Sequence, residues 1–412
     1  MTTITIGEAK QVRAGYLTAL LGTLFSFAPF SIDMYLTAFP TIAVDLRTDL
    51  GAVQLTLSVF FIGLALGQPL YGPIIDRFGR RGPLLVGMAL YSISSLGLAF
   101  VTDIRMFIIL RFVQAVGGCA GMVIGRAVVQ DVFDLKGTAK MFSMMAVVQA
   151  IGPIAAPLLG GYVVTYFGWR AIFGILFLLG AGSFAGVLAI LPESLPRVRR
   201  VPLNPRGVAG AFGSLLRSRK FMVPCLAGGI AGSAMFAFIG GSPFVFMTLY
   251  GFSETQYGWL FAAIAVGMGF AGKFGQVLLT RSTPYRLLTA GVGGIALFGG
   301  VLLVSTLALG QPPFVVLFIP LVLALANMPS TTANSAAIAM SESGENAGCG
   351  SSLVGVAAFG IGGLVIATTG LLDNGTAIPM TGMIFLCGLL GLAVILAGGL
   401  LKDGKSAGSR AE

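Results

Sequence analysis

The amino-acid sequence predicts an all-α membrane protein with twelve transmembrane helices arranged in two six-helix halves. The chain of 412 residues is 56% hydrophobic and only 10% charged, whereas soluble domains carry about 25% charged residues. Apolar runs close to the roughly 20 residues needed to cross a bilayer recur along the chain. One polar segment, rich in proline and arginine, separates these runs into two sets of six. An ordinary soluble protein is therefore excluded.

The apolar runs define the predicted helices in order. They lie near residues 14–38, 51–73, 83–101, 105–128, 140–164, 169–191, 221–248, 257–279, 285–308, 313–339, 346–370 and 377–401. The first run is too long for the apolar part of a signal peptide and no small-residue cleavage site follows it, so we expect a retained helix.

The distribution of basic residues predicts the domains and the orientation. Residues 1–193 form a first half and residues 221–412 a second, with a cytoplasmic linker at 194–220. Lysine and arginine crowd this linker, both termini and alternate loops, which predicts a multi-pass membrane protein with these parts in the cytoplasm. We expect it in a bacterial inner membrane. The basic residues outside the linker that indicate the cytoplasmic side are Lys10, Arg13, Arg77, Arg80, Arg81, Lys136, Lys140, Arg281, Arg286, Lys402, Lys405 and Arg410, whereas the opposite loops contribute only Arg47, Arg105 and Arg170. The net charge of +10 thus reflects topology and does not indicate nucleic-acid binding.

Several kinds of chemistry find no support in the sequence. There is no histidine, so catalytic and metal sites that depend on imidazole are excluded. The four cysteines lack paired metal-ligand spacing, and we expect them to pack within helices. Because no Gly-x-x-x-x-Gly-Lys-Ser/Thr loop occurs, no nucleotide is expected. We therefore expect no cofactor, no metal and no enzymatic activity.

The segment GPIIDRFGRRGPL, residues 72–84, follows the second predicted helix. Its spacing resembles the Gly-x-x-x-Asp-Arg-x-Gly-Arg-Arg loop of the major facilitator superfamily, which implies the major facilitator fold and a cytoplasmic latch that breaks during transport. The alternative is an ordinary basic loop. Arg126 and Asp131 are placed to extend the latch, although they could instead lie at the membrane interface. The proposed latch residues are Gly72, Asp76, Arg77, Gly79, Arg80, Arg81, Arg126 and Asp131.

Two further helices carry family-like motifs. On helix 4, RFVQAVGGCAG begins at Arg111 and resembles the family's Arg-x-x-Gln-Gly pattern. Helical spacing places Arg111, Gln114, Gly118 and Gly125 on one face, which should point into the bundle. On helix 5, QAIGPIAAPLLGGYV resembles the glycine- and proline-rich motif of drug/proton antiporters, with close helix contact expected across the interface between the halves. The antiporter-motif residues are Gly152, Pro153, Pro157, Gly160 and Gly161.

Four longer segments narrow the resemblance. The chain looks like the Bcr/CflA drug-resistance branch of that superfamily in four segments: SIDMYLTAFPTIA, QLTLSVFFIGLALGQPLYGPIIDRFGRR, GGSPFVFMTLYGFSETQYGWLF and ENAGCGSSLVGVAAFGIGG. The resemblance implies proton-driven export of small antibacterial compounds such as bicyclomycin, chloramphenicol-type drugs or sulfonamides. The sequence departs from the branch at Thr37, where the form DMYLPAFP has proline.

Asp33 is the only one of the fifteen acids that lies clearly inside an apolar run. Its helical face includes Gly22, Ser26 and Thr37, a small and polar stripe that should contact protein. It lies about 10 Å below the outer surface and Arg111 at roughly 8 Å, so the two can meet. We predict that Asp33 and Arg111 couple transport to protons. The alternative is a fixed structural ion pair.

Substrate contacts should be apolar and aromatic with a few polar groups. Each candidate also has the simpler interpretation of helix packing. The candidates are Asp33, Tyr35, Gln54, Arg111, Gln114, Gln149, Met235, Phe236, Trp259 and Asn327.

The sequence thus favours an exporter that exchanges small amphipathic drugs for protons by alternating access, and we expect a monomer. A proton-coupled transporter of a small metabolite, such as an amino acid or sugar derivative, remains the alternative. A membrane-embedded enzyme is disfavoured because one buried acid provides no catalytic cluster. A channel or sensor would instead predict conductance or signalling without proton exchange.

Overall fold

The computed structural model describes residues 3–6, 10–200, 205–279 and 282–399. The described part of the chain is almost entirely helical, apart from one antiparallel hairpin of β1 (Thr3–Ile6) and β2 (Lys10–Arg13). This hairpin was not predicted, although the TITI sequence of β1 consists entirely of β-branched residues, which favour strands. Arg281, Lys402, Lys405 and Arg410, used above for topology, lie outside the described residues.

Fifteen α-helices follow within the described ranges. Those before residue 200 are α1 (Ala14–Leu36), α2 (Phe39–Asp45), α3 (Leu50–Phe78), α4 (Arg81–Phe100), α5 (Ile104–Val132), α6 (Leu135–Phe167) and α7 (Trp169–Ile190). Those after residue 204 are α8 (Pro205–Arg217), α9 (Arg219–Ser242), α10 (Glu254–Leu279), α11 (Pro284–Leu309), α12 (Phe314–Ala326), α13 (Met328–Ser341), α14 (Ala347–Leu371) and α15 (Ile378–Ala397). A π-helical segment, Pro243–Leu249, extends α9.

Twelve stretches of the described chain are helical, long and apolar enough to cross a membrane. This result confirms the predicted fold class and the number of spans. The tenth span, Phe314–Ser341, consists of α12 and α13 with an interruption at Asn327. Pro329 explains the break, because proline cannot donate the backbone hydrogen bond that would continue α12.

The described residues form two compact units. The first lies within Met1–Asp49, Ile62–Asn204 and Ser253–Ala262, and the second within Leu50–Phe61, Pro205–Phe252 and Ala263–Glu412. Each unit therefore includes a short segment from the other side of the predicted linker. The division at residues 193 and 220 stays a prediction.

In the first unit, α4 packs against α5 and α7, and α1 packs against α6. Small residues permit these contacts: a Cβ added at Gly117 of α5 would lie 2.6 Å from the backbone nitrogen of Tyr91 in α4. Near one end of the unit, aromatic side chains cluster, with the rings of Phe107 and Phe173 5.4 Å apart. These contacts position the polar site described below.

In the second unit, α9 packs against α13, α14 and α15. The predicted linker contains the short helix α8, whose Leu215 is buried in a cluster with Phe221, Cys225 and Ala339. The linker is therefore partly helical, because its apolar residues recur on one side of α8 and can be buried there.

Candidate functional site

Asp33 lies in a close seam between α1 and α6. Three contacting pairs along this seam are each separated by 123 residues in sequence, so the two helices run parallel with a constant offset. The pairs are Thr18 with Met141, Pro29 with Gly152, and Thr37 with Gly160. The same offset places Asp33 level with Ala156, whose side chain is fully buried. The predicted small and polar face of α1 therefore contacts protein.

The Asp33 side chain is buried, with only 5% of the residue exposed. In the part of the chain that the structure describes, its carboxylate has no hydrogen-bond or ion-pair partner. The hydroxyl of Thr37, one turn further along α1, donates instead to the Met34 carbonyl at 2.8 Å. A charged carboxylate without such partners is costly to bury.

Arg111 is fully buried on α5 and is held by neutral groups. Its Nη1 donates to Oε1 of Gln114 at 2.7 Å and to the carbonyl oxygen of Ser31 at 3.1 Å. The guanidinium carbon lies 4.5 Å from the centre of the Tyr35 ring, a cation–π distance. The predicted site residues Arg111, Gln114 and Tyr35 are thus in contact.

Three residues that the sequence analysis missed complete this arrangement: Ser31, Tyr91 and Ser95. The Tyr91 hydroxyl lies 2.6 Å from Oγ of Ser31. Ser95 donates to the Tyr91 carbonyl at 2.6 Å and accepts from Nε2 of Gln114 at 2.8 Å. A closed ring of hydrogen bonds therefore joins α1, α4 and α5. The signal in the sequence was the pair Tyr91 and Ser95, four residues apart on one face of an apolar helix.

The expected meeting of Asp33 with Arg111 is corrected in one respect. No ion pair between these two described residues is found. Arg111 contacts Ser31 and Tyr35, which share one face of α1, whereas Asp33 is two residues from each and so lies about 200° around the helix. The Arg111 guanidinium of α5 therefore lies on the opposite side of α1 from the Asp33 carboxylate.

The predicted latch centres on Arg80. Its Nη1 bonds to Oδ1 of Asp76 at 2.8 Å and its Nε to Oδ2 of Asp131 at 3.0 Å. Burial alone would lower the pKa of Arg80, but the hydrogen bonds to both carboxylates outweigh it and the pKa is raised. Ser194 also donates to Asp131, at 2.9 Å. This cluster joins the loop between α3 and α4 to the end of α5.

Glu193 is a second anchor of the same loop, a role that was not predicted from the sequence. Its carboxylate accepts from the backbone nitrogens of Arg80 at 2.7 Å and Arg81 at 3.3 Å, at the start of α4. Gly79 has a φ of +92°, and an added Cβ there would lie 2.6 Å from Cδ of Glu193. The glycine therefore serves both a left-handed turn and a close approach. Glu193, the last residue before the predicted linker, is therefore bound to the start of α4.

Three predicted latch residues do not join this cluster. Arg77 is exposed, and its guanidinium carbon lies 5.3 Å from the centre of the Phe78 ring. It points about 100° away from Asp76 on the helix and so does not join the Arg80 cluster. Arg126 is exposed over the ring of Phe25 at 5.9 Å, on a different side of α5 from Asp131. Gly72 has no close neighbour, since an added Cβ would meet no atom within 4 Å.

The antiporter motif on α6 makes contacts within the first unit. Gly152 and Gly160 touch α1, and a Cβ at Gly160 would lie 2.5 Å from the Met34 carbonyl oxygen. Gly161 approaches the start of α10, where its Cβ would lie 2.7 Å from the Glu254 carbonyl oxygen. Pro153 and Pro157 lie inside the continuous helix α6. The glycines thus allow close contact with two neighbouring helices.

The remaining predicted substrate residues are distributed over both units. In the first unit, Gln149 is exposed and Trp259 is 58% exposed. In the second unit, Gln54 is buried beside Gly370, Met235 and Phe236 are half-buried, and Asn327 donates to the Leu323 carbonyl at the helix break. The Asn327 contact is a structural role that matches the packing interpretation.

A further polar cluster joins α2 to the start of α7. Asp45 accepts hydrogen bonds from Arg170 and, at 2.9 Å, from Nε1 of Trp169. Arg170 also lies over the Trp169 ring at 4.3 Å. The hydrogen bonds from Arg170 and Trp169 lower the pKa of Asp45, against a smaller opposing effect of burial.

The twelve spans, together with a buried carboxylate and a buried guanidinium on neighbouring helices, define a multi-pass membrane transporter. The chain belongs to the Major Facilitator Superfamily, whose family model matches residues 20–367. It is accordingly a transporter and not an enzyme.

Relatives and solved structures agree with this assignment. The chain is 34% identical to the uncharacterized MFS-type transporter YdgK of Bacillus subtilis (strain 168), covering 94% of this chain and 96% of the relative. It is 31% identical to the bicyclomycin resistance protein homolog of Haemophilus influenzae, covering 87% and 90%. The crystal structure of the POT family transporter PepTSo has a TM-score of 0.76 at 13% identity, covering 96% and 99%, and supports the fold alone.

Proposed function

We propose that this protein exports small amphipathic antibacterial compounds in exchange for protons, as a drug/proton antiporter of the bicyclomycin and chloramphenicol resistance type. It would act by alternating access as a monomer in a bacterial inner membrane, with both termini in the cytoplasm. Similarity to a bicyclomycin resistance protein homolog and the glycine- and proline-rich motif on α6 support this proposal.

The observation that carries the proposal is the buried and unpartnered carboxylate of Asp33, assessed over the described residues. A charged carboxylate in this seam bears a desolvation cost, which a bound proton or a cationic or polar ligand would relieve. If drug binding near this carboxylate favours its charged form, drug and proton each weaken the binding of the other, and binding of one promotes release of the other. Such competition is the minimal requirement for antiport.

Arg111 supports proton exchange without pairing with Asp33. Held by Ser31, Gln114 and Tyr35, Arg111 is a fixed positive charge on the opposite side of α1 from Asp33 and does not neutralise Asp33 directly. The carboxylate therefore stays available for protonation in each cycle. Proton entry would supply the energy, about 2.3 kcal/mol per charge for each 100 mV of membrane potential.

The cluster around Arg80 supports a latch at the loop between α3 and α4. The Arg80 guanidinium bonds to the carboxylates of Asp76 and Asp131, and the Ser194 hydroxyl donates to Asp131. Because these bonds share partners, they can be broken and re-formed together. We propose Gly79, Arg80, Asp76, Asp131 and Glu193 as its members. Arg81 takes part through its backbone nitrogen.

Transport in proteoliposomes tests the proposal. Purified protein is reconstituted, a pH gradient is imposed, and accumulation of radiolabelled chloramphenicol or bicyclomycin is followed with and without a protonophore. Gradient-driven accumulation by the wild type, abolished by the protonophore, is expected. Asp33→Asn should lose this accumulation while retaining drug–drug counterflow, which needs no net proton movement.

The matched control is Asp103→Asn, because Asp103 is exposed and its side chain accepts from backbone nitrogens at the start of α5, which asparagine can also do. Control activity should equal that of the wild type. Gradient-driven transport that persists in Asp33→Asn would contradict the assigned proton site. A wild type that moves an amino acid or sugar derivative but neither drug would favour the metabolite alternative.

A further inference from the structure

The Tyr91 side chain is tightly packed in the first unit. Tyr91 is fully buried, and its ring lies between two glycines of neighbouring helices. A Cβ at Gly118 of α5 would lie 3.3 Å from the ring, and one at Gly180 of α7 would lie 2.8 Å from it. The Phe27 ring of α1 packs on it at 4.5 Å between centroids. The ring therefore contacts three helices and cannot rotate away from them without displacing their backbones.

The hydroxyl and the backbone carbonyl of Tyr91 are linked, through Ser31 and Ser95, to the two groups that accept hydrogen bonds from Arg111 Nη1. Its hydroxyl lies 2.6 Å from Oγ of Ser31, and the carbonyl of the same serine accepts from Arg111 at 3.1 Å. Its backbone carbonyl accepts from Ser95, which in turn accepts from Gln114, the second acceptor of Arg111. Tyr91 therefore helps to fix both the Ser31 carbonyl and the Gln114 side chain, which accept hydrogen bonds from Arg111 Nη1.

We propose that Tyr91 is a positioning residue for proton coupling, which holds the Arg111 guanidinium on the Ser31 and Tyr35 face of α1 and away from the Asp33 carboxylate. The inference rests on the proposed antiport function. Loss of the hydroxyl leaves Ser31 without its interhelical partner, so the turn of α1 that carries both the Arg111 contact and Asp33 is no longer fixed to α4. Proton exchange at Asp33 then becomes less efficient, whereas drug binding and counterflow, which need no net proton movement, continue.

Tyr91→Phe tests this idea because it keeps the ring and removes only the hydroxyl. We expect gradient-driven drug accumulation in proteoliposomes to fall about 3- to 10-fold, the range that corresponds to one buried hydrogen bond. Drug–drug counterflow should stay within about twofold of the wild type. Ser31→Ala removes the same bond from the other side and should give the same ratio, and the double variant should be no worse than either single one.

The matched control is Tyr71→Phe. Tyr71 is also buried in the first unit, and its hydroxyl donates at 3.0 Å to the backbone of α5, at Val116. It has no contact with the Arg111 ring of hydrogen bonds among the described residues. Both transport modes should be unchanged in this variant. A selective loss in Tyr71→Phe equal to that in Tyr91→Phe would overturn the inference.

Two other outcomes would also overturn it: an equal fall of gradient-driven transport and counterflow, which indicates general structural damage, or full coupling in both Tyr91→Phe and Ser31→Ala. Failure of the proposed function gives a different pattern, since the wild type itself would then show no gradient-driven accumulation. The two failures are therefore separable in one experiment.

Discussion

Gly79→Ala should destabilise the first unit strongly. The residue has a φ of +92°, which costs an alanine about 1–2 kcal/mol. Its new Cβ would also lie 2.6 Å from Cδ of Glu193 and 2.8 Å from Nη2 of Arg200. The carboxylate must then leave the backbone nitrogens of Arg80 and Arg81. We assign about 1–2 kcal/mol to those bonds, reduced because the Glu193 side chain is 30% exposed.

Together these effects lower the unfolding free energy by about 2–4 kcal/mol, which corresponds to a fall of roughly 5 °C or more in the thermal midpoint of a unit this size. Tryptophan fluorescence of the detergent-solubilised protein is the assay. Both tryptophans, Trp169 and Trp259, belong to the first unit, so the signal reports the unit that contains Gly79.

Gly72→Ala is the matched control from the same motif. This glycine is helical and an added Cβ meets no atom within 4 Å, so the change should be neutral or stabilising by about 0.5–1 kcal/mol. In a Glu193→Ala background, Gly79→Ala should cost only the backbone term of about 1–2 kcal/mol. Equal midpoints for the two glycine variants, or an unchanged cost in that background, would refute the reasoning.

Three further outcomes follow from the contacts in the first unit. The pKa of Asp45 is lowered in the folded protein. Its stabilising contribution is therefore present above its ordinary pKa of about 4 and is lost as the pH falls through the folded-state pKa. The thermal midpoint of Asp45→Asn should accordingly fall less at acid pH than that of the wild type. Gly160→Ala should cost about 1–3 kcal/mol in unfolding free energy because its Cβ meets the Met34 backbone, whereas Gly174→Ala, which meets no atom within 4 Å, should cost nothing. Arg80→Lys cannot bond to both carboxylates with a planar fork and should lower the midpoint, with salt reducing the difference from the wild type.

Much of the fold could be predicted from composition and periodicity. Apolar runs of the right length gave all twelve spans, because bilayer thickness fixes helix length. The break at Asn327 was missed although Pro329 was visible, since proline is also tolerated inside membrane helices. The helix α8 was hidden in a polar segment because only a few apolar residues, such as Leu215, are buried there.

The candidate site was predicted in parts. Asp33, Arg111 and Gln114 were found because charged and amide groups are rare in apolar helices. The ring through Ser31, Tyr91 and Ser95 was missed, since the spacing of Tyr91 and Ser95 indicates only a polar face of α4 and does not identify its partners. Only the packing of α1, α4 and α5 brings these residues together. For the same reason, helix depth could suggest that Asp33 and Arg111 meet, but not on which face of α1 the guanidinium lies.

The central claim is that one carboxylate, Asp33, exchanges protons for drug. Its most direct test is drug-induced proton release from purified protein in weakly buffered detergent solution, followed with a pH indicator. The wild type and Asp103→Asn should release protons when bicyclomycin or chloramphenicol is added, and Asp33→Asn should release none. Undiminished release from Asp33→Asn would contradict the account.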